Sequence, residues 1–264
     1  MQMLLFPLLL QSAALPTIDE LRLSDCIQLA NKDASSAIVE GNKWRQENGG
    51  WRADICTATG YARNFEFARS LPYFESGAEF ASAESDERAN LFWLQAGNAA
   101  ITADKPRDAI RYFDRALAKG ALPDTDRADA LIDRARAHVD AGQEAQAKTD
   151  LFAARRLAPE NEMAWLFSAT LARRNAELNE AQTFIATSAS LAPKDPAIAL
   201  EAGNIAAAAN DLAQAAKQWK LVMELAPTSR QAISAARLLA KIEGESMEQP
   251  NTGKPGESEA NNGR

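Results

Sequence analysis

The sequence predicts an all-α chain built from a repeated pair of antiparallel helices. The first observation is a period. Leu157-Ala158-Pro159, Leu191-Ala192-Pro193 and Leu225-Ala226-Pro227 place their prolines 34 residues apart both times, and a fixed period of that size marks a helical-pair solenoid. The second is that small and bulky residues recur at fixed places within the period. The third is the lack of any run of alternating β-branched residues, so no sheet is expected. With 264 residues and 46% apolar content the chain can bury a substantial core, which a solenoid spreads along its axis.

Each period can be numbered so that its proline stands at position 32. Counting back from Pro227 puts Gly203 at 8, Ala215 at 20 and Trp219 at 24. From Pro193 come Trp165 at 4 and Ala181 at 20, and from Pro159 come Leu131, Ala135, Ala147 and Ala154. Upstream, Trp93, Gly97, Ala109, Phe113 and Ala116 fall at 4, 8, 20, 24 and 27, in a repeat whose proline, Pro123, comes two residues late. Its connector is therefore expected to be slightly longer. Small residues at 8, 20 and 27 let helix axes approach, bulky ones at 4 and 24 fill the gaps, and the proline stops the second helix.

This pattern resembles the tetratricopeptide repeat. The resemblance implies a right-handed superhelical solenoid of antiparallel helix pairs, A then B, that holds a surface for partners rather than a cleft for chemistry. It also sets the expected organisation. Residues 1–14 read as a signal peptide, from the apolar run Leu4 to Leu10 and the small residues Ser12 and Ala14, although Met1-Gln2-Met3 carries no basic residue. Residues 20–50 form an N-terminal helix pair, with Ala37-Ile38 and Trp44 on its second helix and Gly49-Gly50 as the break. Residues 51–227 hold five repeats. The first is degenerate, with Tyr61 at 11, Phe74 at 24, and Pro72 in its B helix arguing for a kink or a late start. Residues 228–243 form a capping helix whose apolar positions are Ile233, Ala236, Leu239 and Ala240. The segment 244–264, rich in Gly, Glu, Asn and Pro, is expected to be a disordered tail.

Cys26 and Cys56 fall on A helices of adjacent units. With an export signal the expected state is a disulfide closing a loop of about 30 residues and stabilising by roughly 3–4 kcal/mol; two free buried cysteines are the alternative. The stretch from Cys26-x-x-Leu29-Ala30 through Trp44 and Gly49-Gly50 to Cys56 also resembles the start of secreted tetratricopeptide proteins of alphaproteobacterial type. That likeness bears on location only. A periplasmic or secreted protein is expected, with a cytoplasmic one as the alternative.

Chemistry is sparse. The single histidine, His138, takes a packing position and has no cysteine or second histidine at metal-ligand spacing, so neither metal nor cofactor is expected. Gly253-Lys254 lacks the rest of a phosphate loop. Asp124, Asp126 and Asp129 suit a helix N-terminus. A formal charge of −7 argues against nucleic acid as a ligand. No apolar run is long enough to span a bilayer. No enzyme is expected.

The resemblance further implies a concave groove lined by A-helix positions 2, 5, 9, 12 and 13. Carried onto this chain, those positions give the candidate partner-binding residues Leu91, Leu94, Asn98 and Ile101, then Ile132 and Arg136. They continue with Met163, Leu166, Arg173 and Arg174, then Leu200 and Asn204. Position 5 is apolar in all four repeats, which reads either as an interaction stripe or as packing within each repeat. The basic clamp that some tetratricopeptide domains use for a terminal carboxylate is missing, since Leu94, Asp133, Met163 and Phe167 stand at its positions. The expected function is a non-enzymatic scaffold holding a peptide or helix of a protein partner in the groove; a self-associating homo-oligomer is the alternative.

Overall fold

Proline decides where the B helices end. The residue before a proline is pushed out of the helical region, and Ala158, Ala192 and Ala226 adopt nearly one conformation, with φ of −133°, −134° and −147° and ψ of 75°, 74° and 66°. Each follows directly on the last helical leucine of its repeat. The structure is a computed structural model; it describes residues 15–118 and 122–248, with side chains to residue 244. The signal-peptide expectation for 1–14 and the tail beyond 248 lie outside the described residues. Those residues form thirteen α-helices and no strand.

The chain divides into two units, Met1–Ala158 and Pro159–Arg264. The first contains α1 (Ile18–Lys32), α2 (Ala34–Gln46), α3 (Gly50–Arg63), α4 (Phe67–Ala83), α5 (Ala89–Thr102), α6 (Pro106–Ala118), α7 (Asp124–Asp140) and α8 (Glu144–Leu157). The second contains α9 (Glu162–Arg174), α10 (Leu178–Leu191), α11 (Pro196–Ala208), α12 (Leu212–Leu225) and α13 (Arg230–Glu248). Within each unit, helices adjacent in sequence pack as antiparallel neighbours.

The turn from an A helix to its B helix is also repeated. A residue in the left-handed region stands between them at Phe65, Asp104, Gly142, Ala176 and Asn210, with φ between 56° and 74°. The next backbone N–H then reaches back to the A helix: Lys105 to Ala100 O, Gln143 to His138 O, Glu177 to Ala172 O and Asp211 to Ala206 O, at 2.8–2.9 Å. This closure satisfies carbonyls that a helix end leaves orphaned. Pro72 lies well inside α4, which begins at Phe67, so the B helix of the degenerate repeat does not start late.

Position 8 pairs in size with position 24. Gly97 faces Phe113 and Gly203 faces Trp219, each so close that a β-carbon would strike the ring. Where position 8 is Ala135 or Ala169, position 24 is the smaller Leu151 or Ile185, and all four are buried. In the first unit Trp44, Trp51, Phe92, Trp93 and Phe113 join one core, with the Trp51 and Phe92 ring centroids 5.4 Å apart.

Cys26 on α1 and Cys56 on α3 are joined by a disulfide, with Cα atoms 5.7 Å apart and both residues buried. Gly41 on α2 lies beside this bond; a β-carbon there would come within 2.8 Å of the Thr57 backbone nitrogen. In the second unit α13 covers α12, but with a different face from the one expected. Ala232, Ala235 and Leu239 are buried, the last two in one core with Trp219 and Val222, whereas Ile233, Ala236 and Ala240 are exposed. Two small alanines let α13 approach the indole more closely than an isoleucine would. The helix continues past residue 243 to Glu248.

Candidate protein-binding surface

An A helix shows its neighbours two faces, and position 5 belongs to the inner one. It lies three residues before the small residue at position 8, on the same side of the helix. Ile132, three before Ala135, is 3% exposed, and Leu166, three before Ala169, is 6% exposed. Neither is available to a partner, which corrects the reading of both as groove contacts. Leu94 and Leu200 are half-buried and pack against the cores of their units.

The remaining candidates separate by what holds them. On α5, Leu91 and Asn98 are exposed and Ile101 is half-buried, so the face 91–94–98–101 carries accessible apolar and polar groups together. On α7, Arg136 is exposed and pairs with Asp133 one turn earlier at 2.8 Å. Burial raises the Asp133 carboxyl above its ordinary range, and Arg136 partly opposes this. On α9, Met163 is half-buried and Arg174 exposed.

Arg173 and Asn204 already have partners. Arg173 Nε donates to Glu201 Oε1 at 2.6 Å, bridging α9 to α11. Asn204 Nδ2 donates to Glu201 Oε2 at 3.2 Å and its Oδ1 accepts from Trp219 Nε1 at 3.3 Å. Glu201 is 7% exposed. A buried carboxylate needs such compensation, so these two side chains stabilise the repeat junction within the second unit instead of waiting for a ligand. The acid at position 6 facing a base at position 12 of the repeat before was a signal present in the sequence.

His138 is buried between Gln143, whose Oε1 lies 2.7 Å from Nδ1, and Asp150, 3.7 Å from Nε2. Asp150 also accepts two hydrogen bonds from Arg134, at 2.6 and 2.8 Å. Among the described residues no cluster of three His, Cys, Asp or Glu side chains is arranged to hold a metal ion, and no helix is long and apolar enough to cross a membrane.

No family model and no curated protein matches the sequence. Solved structures do. The type IV pilus biogenesis factor PilW superposes with a TM-score of 0.65 at 16% identity, over 84% of this chain and 100% of that one. MamA of Desulfovibrio magneticus RS-1 gives 0.56 at 18% identity, over 68% and 97%. YrrB, a tetratricopeptide protein with an unusual peptide-binding site, gives 0.50 at 19% identity, over 81% and 97%. At these identities the likeness is one of fold, and it agrees with the repeat residues of the chain itself: this is a tetratricopeptide-repeat protein by fold.

Proposed function

We propose that this chain is a non-enzymatic scaffold that binds a segment of a protein partner, working in the oxidising space of a bacterial envelope. The observation that carries the binding reading is the α5 face, where Leu91 remains 43% exposed on the same A helix as the exposed Asn98 and the half-buried Leu94 and Ile101. An apolar side chain left accessible on an A helix, flanked by a polar one, suits an amphipathic helix or an extended peptide. The peptide site named for YrrB supports the same mode. The Cys26–Cys56 bond supports the location, because disulfides persist in oxidising compartments, and the pilus role named for PilW supports an envelope setting.

The test is affinity capture with crosslinking from the native envelope, comparing wild type with Leu91→Glu. Leu91 tolerates a charge because it is exposed, whereas Leu166 would not. A partner held by the wild type and lost by the variant is the expected result. A partner held equally by both moves the site off α5, and recovery of the chain alone favours self-association. One observation supports that second reading: the exposed face Ile233, Ala236 and Ala240 on α13.

A further inference from the structure

The repeat containing α7 departs by one helical turn from the two repeats that follow it. The left-handed residues Gly142, Ala176 and Asn210 follow at 34-residue spacing, but Asp104 precedes Gly142 by 38. The four extra residues do more than lengthen the connector. They extend α7, which runs 17 residues against 13 for α9 and α11. In α9 and α11 the slot before the first helical residue holds a capping side chain: Asn161 Oδ1 accepts from Met163 N at 3.0 Å, and Asp195 Oδ1 accepts from Ala197 N at 2.7 Å. The equivalent slot on α7 is Arg127, now inside the helix and relieved of any capping task.

Arg127 lines a cavity of about 650 Å³ between α6, α7 and α8. Arg156 and Phe152 line it from α8, Arg134 and Leu131 from α7, and Leu117 from α6. Arg134 is occupied by Asp150 and by Asp114, the latter at 2.7 Å and itself on the cavity wall, so this one lining carboxylate is already neutralised. Arg127 and Arg156, by contrast, have no carboxylate in salt-bridge range among the described residues, and Arg156 instead lies over the Phe152 ring, 5.8 Å from its centroid. Phe152 is 55% exposed. In a chain of net charge −7, two arginines without acidic partners beside an exposed ring and leucine side chains form a local site of opposite sign.

We infer that this cavity is a docking site for an extended acidic–apolar segment of a protein partner, with an Asp or Glu carboxylate between Arg127 and Arg156 and a Leu or Phe side chain against Phe152 and Leu117. Guanidinium–carboxylate pairing supplies the orientation, and the ring beneath Arg156 helps hold that group flat. The inference rests on the scaffold reading above and gives it a second surface, away from the α5 face, together with the chemistry of what binds there.

The test uses the full chain and fluorescence anisotropy with a labelled peptide, Gly-Ser-Asp-Leu-Phe-Asp-Leu-Ser-Gly, against its counterpart with both Asp replaced by Asn. The acidic peptide is expected to bind at least about tenfold more tightly than the Asn form, and more weakly as salt is raised. Arg127→Gln with Arg156→Gln is expected to remove that difference while leaving the thermal transition in place, since neither arginine has an ion-pair partner to lose. Phe152→Ser is expected to weaken both peptides. Equal binding of the two peptides, no saturable binding, or an undiminished preference in the double variant would each overturn the assignment. Binding that emerges only when residues 249–264 are deleted would make the chain's own tail the occupant, and would overturn it as well. If the peptide fails while envelope capture by the wild type succeeds, the scaffold reading stands and this site falls; the reverse result separates them the other way.

Discussion

The Trp219 indole of α12 rests directly on the Gly203 backbone of α11: a methyl group at position 203 would lie 2.5 Å from the ring Cδ1 and 3.1 Å from Cε2. In a free helix Gly→Ala gains up to about 1 kcal/mol. Here the clash dominates. Gly203→Ala is expected to lower stability by about 1–3 kcal/mol, seen as a lower denaturation midpoint. Pairing it with Trp219→Leu, which imitates the Ala135 and Leu151 combination, should cost less than the two single changes added together. A neutral Gly203→Ala would mean that the indole does not hold the helix backbone at this distance.

Reduction of Cys26–Cys56 should weaken the first unit. The bond closes a 30-residue loop, for which chain entropy gives about 3–4 kcal/mol. The expected outcome is an unfolding transition shifted to lower denaturant by reductant in the wild type and unshifted in Cys26→Ser/Cys56→Ser. Thiol titration of the unreduced, denatured protein should find no free cysteine. Two titratable thiols would remove both the staple and its support for an oxidising compartment.

Ala176 adopts φ 59° at the place where Gly142, one period earlier, adopts 74°. A β-carbon in the left-handed region costs roughly 1 kcal/mol that glycine avoids. Ala176→Gly is therefore expected to stabilise the protein, and Gly142→Ala to destabilise it by a similar amount. Thermal melts of the two variants should move in opposite directions. Movement in the same direction would show that other contacts, not backbone conformation, govern these turns.

The helix-pair fold was legible because its determinants are local and repeated. Pro159, Pro193 and Pro227 stop helices through the backbone of the preceding alanine, and the size match between Gly203 and Trp219 recurs at a fixed spacing. Which side of an A helix faces inward was less legible. Leu91 on α5, Ile132 on α7 and Leu166 on α9 are all apolar residues of A helices, so residue type and repeat position alone did not say that Ile132 and Leu166 turn towards the core while Leu91 stays accessible. The same ambiguity placed Ile233 on the buried side of α13, where Ala232 and Ala235 lie instead. The late Pro123 was visible in the sequence; that the extra residues extend α7 and carry Arg127 into a cavity wall depends on tertiary packing.

Acid should loosen the first unit through Glu20. Its carboxylate accepts from Arg88, with Nη2 at 2.9 Å, and from Arg52 Nε at 2.6 Å, tying α1 to α3 and to the start of α5. The Arg88 hydrogen bonds are the main cause that lowers its pKa from 4.5 to about 2; partial burial opposes them and Arg52 adds to them. A carboxylate with a depressed folded-state pKa contributes stability that is fully present above the unfolded value and is lost as pH falls through the folded one. The window is therefore from about pH 4.5 down to about pH 2, and the contribution is about 1–2 kcal/mol once solvent screening is allowed for. Asp86, also held down by Arg88, acts with the same sign, while Asp133, raised by burial, acts with the opposite one. Glu20→Gln should lower stability at neutral pH and flatten its decline on acidification, so that mutant and wild type converge near pH 2. A constant difference between them across that range would show that Glu20 acts through packing and not through its charge.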